Sequence, residues 1–305
     1  MEKAFLYKAF GLVFSSSIEL PELLVVNNES PDVSISIHAV PEAIENPILK
    51  TSRFEVAEGR FLLTVDKVAR FYAEEGRIVF IMPFPGATED EIRLFLYGSV
   101  FAALFHQRGM MPLHATTVGD GENAYSFSGN SGMGKSSLSF SLIETGRFNL
   151  VSDDISILSV NAGNIMALPG LPRVKLWADV LEYTQKDVSQ LRNIRKSIEK
   201  YNYPLEDRFA KEPVQLKAIF FLTTRHQSEI SLKVVTGTEK FNLLQHNIFR
   251  LQFMPGNSLQ QQYFQFTTAI LQKTAVFQVV RPRLGFELGM LRDRIEEAIH
   301  SLKKQ

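Results

Sequence analysis

The chain has 305 residues, with 33 basic against 33 acidic side chains, so no net charge draws it toward nucleic acid or an anionic membrane surface. The absence of cysteine excludes disulfides, thiolate catalysis and cysteine metal sites. An apolar share of 45% suits a globular protein of one large or two ordinary domains; with no membrane-length apolar run and no signal-peptide core after Met1, a soluble, cytoplasmic protein is expected.

Residues 1–86 read as a strand-rich N-terminal region. Asp32 to His38 alternates apolar and polar residues, and Phe54–Val56, Phe61–Val65, Val68–Tyr72 and Arg77–Ile81 follow with turn-like breaks between them. An antiparallel meander is the simplest arrangement. Pro83, Pro85 and Gly86 end it, and Thr88-Glu89-Asp90-Glu91 opens a helix with acidic residues in its first turn. Ile92, Leu94, Phe95, Tyr97, Val100, Phe101, Leu104 and Phe105 make that helix apolar around much of its circumference, which predicts burial.

Residues 87–305 read as a second, α/β unit. From Met111 the order is strand, glycine-rich loop, helix, strand, the pattern of a nucleotide-binding core. Ala124–Phe127 is a short strand entering Ser128-Gly129-Asn130-Ser131-Gly132-Met133-Gly134-Lys135-Ser136-Ser137, which matches the phosphate-binding pattern G-x-x-x-x-G-K-S. Gly129, Gly132 and Gly134 allow the chain to curl, so that N–H groups along Gly129–Ser137, those of Asn130, Ser131 and Met133 included, point inward as an anion nest. The positive end of the following helix adds to it. Lys135 supplies an ammonium for the terminal phosphates, and the Ser136 hydroxyl is the expected magnesium ligand. Leu138, Leu142 and Ile143 share one helical face, and Gly146 is the expected C-cap.

Phe148 to Asp154 is a short apolar strand ending in two carboxylates. A crossover through one helix into a neighbouring parallel strand brings Asp153 and Asp154 to the phosphate site, where one acid can hold magnesium and the other take a proton from an attacking hydroxyl. A turn or helix cap is the alternative for the pair. Leu216–Leu222 reads as a strand buried on both faces, Glu239–Phe249, Gln260–Gln272 and Leu288–Leu302 as helices, and Val276–Val280 as a strand. Asp187–Arg208, rich in Arg and Lys, reads as helix and loop. Trp177 is expected to pack rather than stack on a substrate. Arg250, Arg281 and Arg283 are candidate phosphate or acceptor contacts, weighed against surface ion pairs.

Leu113-His114-Ala115-Thr116-Thr117-Val118, the G-N-S-G-M-G-K-S-S loop and Leu150-Val151-Ser152-Asp153-Asp154 together resemble the core of HPr serine kinase/phosphorylases and their relatives. Tyr7–Leu12, Ile18–Leu23 and Leu168–Trp177 are similar to HPr-kinase-like proteins encoded with lasso peptides, which phosphorylate a serine of the precursor peptide. The resemblance implies an α/β fold with a P-loop kinase core of the HPr kinase and PEP carboxykinase type. It implies that Lys135 contacts the transferred phosphate, that Ser136 and Asp154 hold magnesium, that Asp153 is the base, and that His114 orients that base. Arg173 and Lys175 lie in a segment this branch shares and are expected to neutralise charge on the phosphoryl group in flight. An acidic signature that follows the acid pair in HPr kinases proper is missing, with Leu168–Trp177 in its place, so neither HPr as acceptor nor the reverse reaction carries over.

The expected function is therefore an ATP- and magnesium-dependent kinase acting on a serine hydroxyl of a peptide or protein. A homo-oligomer is compatible with it, and neither nucleic acid nor membrane is an expected partner. The alternatives are a small-molecule kinase or carboxykinase-like enzyme, and a nucleotide-binding regulator without phosphotransfer. Against a guanine switch, no N-K-x-D segment follows the later strand.

Overall fold

The computed structural model describes residues 4–189, 191, 193–195, 198–254, 260–283 and 288–304. Phe10 and Gly11 both take positive φ (54° and 72°), as a two-residue hairpin turn requires, and fold β1 (Phe5–Ala9) back onto β2 (Leu12–Ser16). The rest of the first sheet is β3 (Leu24–Val25), β4 (Val33–Ile37), β5 (Leu49–Lys50), β6 (Phe54–Ala57), β7 (Arg60–Val65), β8 (Ala69–Glu74) and β9 (Ile78–Pro83), in the order β3-β1-β2-β4-β9-β8-β7-β6-β5.

The expected meander holds from β5 to β9, where every neighbour is antiparallel. It fails at β4, which pairs parallel with both β2 and β9. The segment 38–48 carries the chain from the sheet centre to its far edge, and the meander then builds back inward.

The helix after Pro83 begins at a capping box, in which Thr88 accepts from the Glu91 N–H and the Glu91 carboxylate accepts from the Thr88 N–H. One continuous helix was expected. Instead α1 (Glu89–Phe95) passes through a single π turn, Leu96–Val100, into α2 (Phe101–Gln107). The wider turn shifts the helical phase, so that Ile92 and Leu96 on one side and Phe101 and Phe105 on the other all reach one core. There Phe101 stacks on Phe14 at 4.9 Å and Phe105 meets Phe10 edge-on at 5.0 Å. His106, fully buried, sets its two ring nitrogens 2.6 Å from the Tyr263 hydroxyl and 2.9 Å from the Phe249 carbonyl.

The second sheet contains β10 (Met111–Leu113), β11 (Ala115–Gly119), β12 (Asn123–Ser128), β13 (Asn149–Ser152), β14 (Ser156–Asn161) and β15 (Asn164–Leu168), with α3 (Lys135–Glu144) between β12 and β13. β16 (Arg173–Trp177), β17 (Asn193–Arg195) and β18 (Ile198–Pro204) form a third, small sheet, and α4 (Ala178–Tyr183) follows β16. The expected helix and loop over 187–208 is thus corrected to β17, β18 and a short 3-10 turn at Glu206–Arg208; residues 190, 192, 196 and 197 lie outside the described residues. Tyr201 and Tyr203 explain the strand, for their alternation packs both aromatics on the core under α3, Tyr203 against Phe140 at 5.1 Å.

β19 (Val214–Arg225) is the buried strand expected near Leu216–Leu222, parallel to β12 on one side and to β21 (Ala275–Pro282) on the other. β20 (Ser231–Val234) pairs with β21, and α5 (Gly237–His246), α6 (Gln260–Lys273) and α7 (Leu288–Lys303) lie near the expected helices. Two layers of apolar side chains sandwich this sheet, one under α3 and α7 and the other under α5 and α6. The molecule is a mixed α/β structure, and among the described residues no helix is long and apolar enough to cross a membrane.

Candidate active site

β12 ends in the glycine-rich loop, and φ of 133°, 82° and 89° at Gly129, Gly132 and Gly134 curls it into the first turn of α3. Gly129 has a second constraint, since a Cβ there would sit 2.4 Å from the Leu222 carbonyl oxygen of β19. Gly146 takes positive φ just after α3, and its N–H bonds the Ile143 carbonyl at 2.9 Å, the C-cap read from the sequence.

The two carboxylates arrive by a route that differs from expectation in one respect. β13 is not the neighbour of β12: β11 lies between them, antiparallel to both. The two flanking strands therefore still run in the same direction, and their C-terminal ends share one edge of the sheet. The acid pair still reaches the loop, because two antiparallel steps restore the strand direction.

At that edge the loop lysine is folded inward. Lys135 Nζ donates to the carbonyls of Gly129 (2.8 Å) and Asn130 (3.1 Å) and lies 3.1 Å from His114 Nε2. The other ring nitrogen, His114 Nδ1, lies 3.1 Å from the Asp154 carbonyl oxygen, which can only accept. That bond puts the imidazole proton on Nδ1 and leaves Nε2 to accept from Lys135. Burial, followed by the positive charge of Lys135, lowers the His114 pKa and favours this neutral ring. Burial likewise lowers the Lys135 pKa, while the Asp154 and Asp153 charges oppose it.

The two acids have different surroundings. Asp153 Oδ1 accepts from Thr116 Oγ1 (2.6 Å) and Ser136 Oγ (2.8 Å), and Oδ2 accepts from the Lys175 N–H (2.8 Å). Asp154 takes a left-handed backbone, φ 72°, and pairs through Oδ2 with Lys175 Nζ at 2.7 Å. The Lys175 ammonium, outweighing burial and helped by that hydrogen bond, holds the Asp154 carboxyl well below the usual carboxylate range.

A cavity of about 830 Å³ opens over this edge. Its wall includes Ser131, Gly132, Gly134, Lys135, Ser136 and Ser137 from the loop, with His114, Asp154 and Lys175 beside them. Lys200, Arg281, Trp177, Asp179, Val180, Tyr183 and Leu288 complete it. Lys135, Lys175, Lys200 and Arg281 outnumber the carboxylates of Asp154 and Asp179, so the cavity suits a polyanion. Its size lies within the usual range for small-ligand sites.

Asp153 does not line this cavity. It borders a small pocket behind the wall, about 20 Å³, together with Phe10, Tyr97, Leu171 and Arg173, and with Asp154 and Lys175, which border both spaces. Arg173 faces that side: its guanidinium bonds Asn202 Oδ1 and lies 5.7 Å from the Tyr97 ring, and it does not border the large cavity. The structure also keeps Arg250 and Arg283 off the cavity wall and brings Arg281 onto it, Nε of Arg281 lying 3.4 Å from the Met133 carbonyl. Trp177 is 46% exposed at the wall, which corrects its expected packing role. Sequence reasoning missed Thr116 and Lys200. The clue for Thr116 was its adjacency to His114 in an alternating strand; for Lys200 the assignment of helix and loop hid the strand that aims it.

For magnesium, a hydroxyl and a carboxylate 2.8 Å apart, beside an anion-binding loop, form a fitting oxygen donor set. Among the described residues no group of three or more His, Cys, Asp or Glu side chains forms a metal cage, and magnesium characteristically needs none, taking one or two carboxylates, phosphate oxygens and water.

No family model matches the chain, and no curated protein matches it. Among solved structures, the HPr(Ser) kinase/phosphatase from Coxiella burnetii aligns over 63% of this chain and 98% of its own, with 11% sequence identity and a TM-score of 0.35.

Proposed function

We propose that this chain is a phosphotransferase that passes the terminal phosphoryl group of a nucleoside triphosphate, ATP by expectation, to an alcohol, the serine hydroxyl of a peptide or protein. One observation carries the reading: a glycine loop with its lysine and serine meets the Asp154 carboxylate at one edge of a cationic cavity, and that serine is hydrogen-bonded from behind the wall by Asp153. Magnesium held through Ser136 and Asp153 would neutralise charge on the bridging phosphate oxygens.

The remaining chemistry belongs to the chain's own residues. The loop N–H groups and Lys135 fix the donor phosphates. His114 ties Lys135 to the main chain of Asp154, so that the phosphate-side cation and the acid are held by one ring. As the acceptor oxygen bonds the terminal phosphorus, the bond from phosphorus to the leaving diphosphate oxygen breaks, its electron pair departs with the diphosphate, and the hydroxyl proton passes to Asp154. Asp154 takes this role because its carboxylate borders the cavity; the Lys175 ammonium keeps it a weak base, so it acts chiefly by orienting the hydroxyl and takes the proton late in a loose transition state, whereas Asp153 accepts from Thr116, Ser136 and the Lys175 N–H behind the wall. The expected roles of the two acids are thereby exchanged.

Transfer of label from γ-phosphate-labelled ATP to a serine-peptide library tests this. Lys135→Ala is expected to abolish ATP binding, Asp154→Asn to keep binding but lose transfer, and Asp153→Asn to raise the magnesium concentration required. Full transfer by Asp154→Asn would refute the base assignment.

A further inference from the structure

Lys175 of the cavity cations is paired with Asp154, and Lys135 is bonded to loop carbonyls. Lys200 differs from both. Among the described residues it has no carboxylate partner, and its ammonium rests 5.6 Å from the centre of the Trp177 ring. The register of the small sheet sets this contact, because Trp177 of β16 lies directly opposite Lys200 of β18. Both side chains border the large cavity. The Lys200 charge is felt at the loop, where it helps to lower the Lys135 pKa, and at Asp154, whose carboxyl it also helps to hold down.

A lysine on an exposed aromatic face keeps its charge and much of its hydration, and the contact itself is weak, about 0.5–1 kcal/mol. A phosphate oxygen is a stronger partner for an ammonium than a ring face is. An unpaired cation held this loosely beside a phosphate loop is therefore a group with somewhere else to go.

We propose that Lys200 is a phosphate-contacting residue of this site, resting on Trp177 and moving from the ring to the phosphate chain when the donor binds. Resting on the proposed phosphotransfer, the assignment gives Lys200 the charge-neutralising role expected of Arg173 and Lys175, of which Arg173 lies behind the wall and Lys175 is held by Asp154. A lysine that swings from its perch supplies charge where it builds during transfer without competing with Lys175 for Asp154.

Trp177 is the sole tryptophan, so its emission reports this event directly. Titration of the full chain with Mg–ATP, with magnesium pyrophosphate and with adenosine is expected to change Trp177 emission for the two phosphate ligands and not for adenosine. Lys200→Met is expected to bind pyrophosphate at least about tenfold more weakly, with the emission change lost, and Lys200→Arg to recover most of both. Wild-type affinity and emission response in Lys200→Met, with circular dichroism showing a native fold, would overturn the Lys200 assignment while leaving the phosphotransferase reading in place. Failure of wild-type protein to bind either phosphate ligand by calorimetry would overturn both. Loss of binding in Lys135→Ala alongside wild-type behaviour in Lys200→Met would count against Lys200 alone.

Discussion

Alanine at the three loop glycines gives a graded series whose order follows from geometry. At Gly132 and Gly134 an added Cβ meets nothing within 4 Å, so the cost is that of a non-glycine residue at φ of 82° and 89°, about 1–2 kcal/mol each. At Gly129, φ is 133° and the new Cβ would stand 2.4 Å from the Leu222 carbonyl oxygen, a main-chain atom in the middle of the sheet. That atom belongs to β19, which pairs with β12 as far as Phe221 and with β21 through Leu222, so the sheet resists its retreat. Backbone strain of about 1–3 kcal/mol is joined by overpacking of about 1–3 kcal/mol, giving roughly 2–6 kcal/mol in total. Urea unfolding followed by circular dichroism reads the three variants without any ligand. Equal midpoints for Gly129→Ala and Gly132→Ala would refute the reasoning, because most of the difference between them rests on the contact with β19.

Thr116→Val keeps the shape of a fully buried side chain and removes the hydroxyl that donates to Asp153 Oδ1. Loss of a hydrogen bond to a charged group costs about 1.5–3 kcal/mol, and the variant is expected to need more magnesium for transfer while its KM for the acceptor is unchanged; an unaltered magnesium requirement counts against the Asp153 assignment. Asp120 tests pH dependence. Burial raises its pKa, but Lys303 at 2.6 Å and the N–H groups of Asn123 and Glu122 outweigh burial and set it below the ordinary 3.8. A depressed carboxyl stabilises the fold above its unfolded pKa, and that contribution is lost as pH falls through the folded value. Wild type is therefore expected to exceed Asp120→Asn in stability by about 1.5–3 kcal/mol near neutral pH, and the gap to narrow once pH drops below about 4. A gap of constant size across that range would contradict the assignment.

Much of this architecture was legible because local chemistry and tertiary packing agree. The loop glycines, the helix after them, the helix start at Thr88 and the buried strand through Phe220 and Phe221 follow from local pattern alone. Illegible parts depend on partners distant in sequence. Nothing between Asp32 and His38 says that β4 pairs parallel on both sides, and the charged run around Lys200 conceals an alternation of two tyrosines that matters only once α3 is there to cover them. The site followed the same division. That the loop, His114 and the acid pair gather could be read from motif and spacing, whereas Lys200 and Thr116 could not; which carboxylate faces the cavity depends on Thr116 and on the Lys175 N–H, and neither belongs to a motif.

The His106 imidazole in the last turn of α2 has a consequence for how the protein is made. Its hydroxyl partner, Tyr263, lies 157 positions further along, so a ribosome adding about 5–20 residues per second delivers that partner about 8–30 s after His106 itself. Throughout that interval the nascent N-terminal sheet has its phenylalanines but no lid over the polar end of its helix, and Phe253, which packs on the same core, is still to come. The polar end of that helix therefore gains its last partners only after the residues of the N-terminal sheet and most of its core have been made.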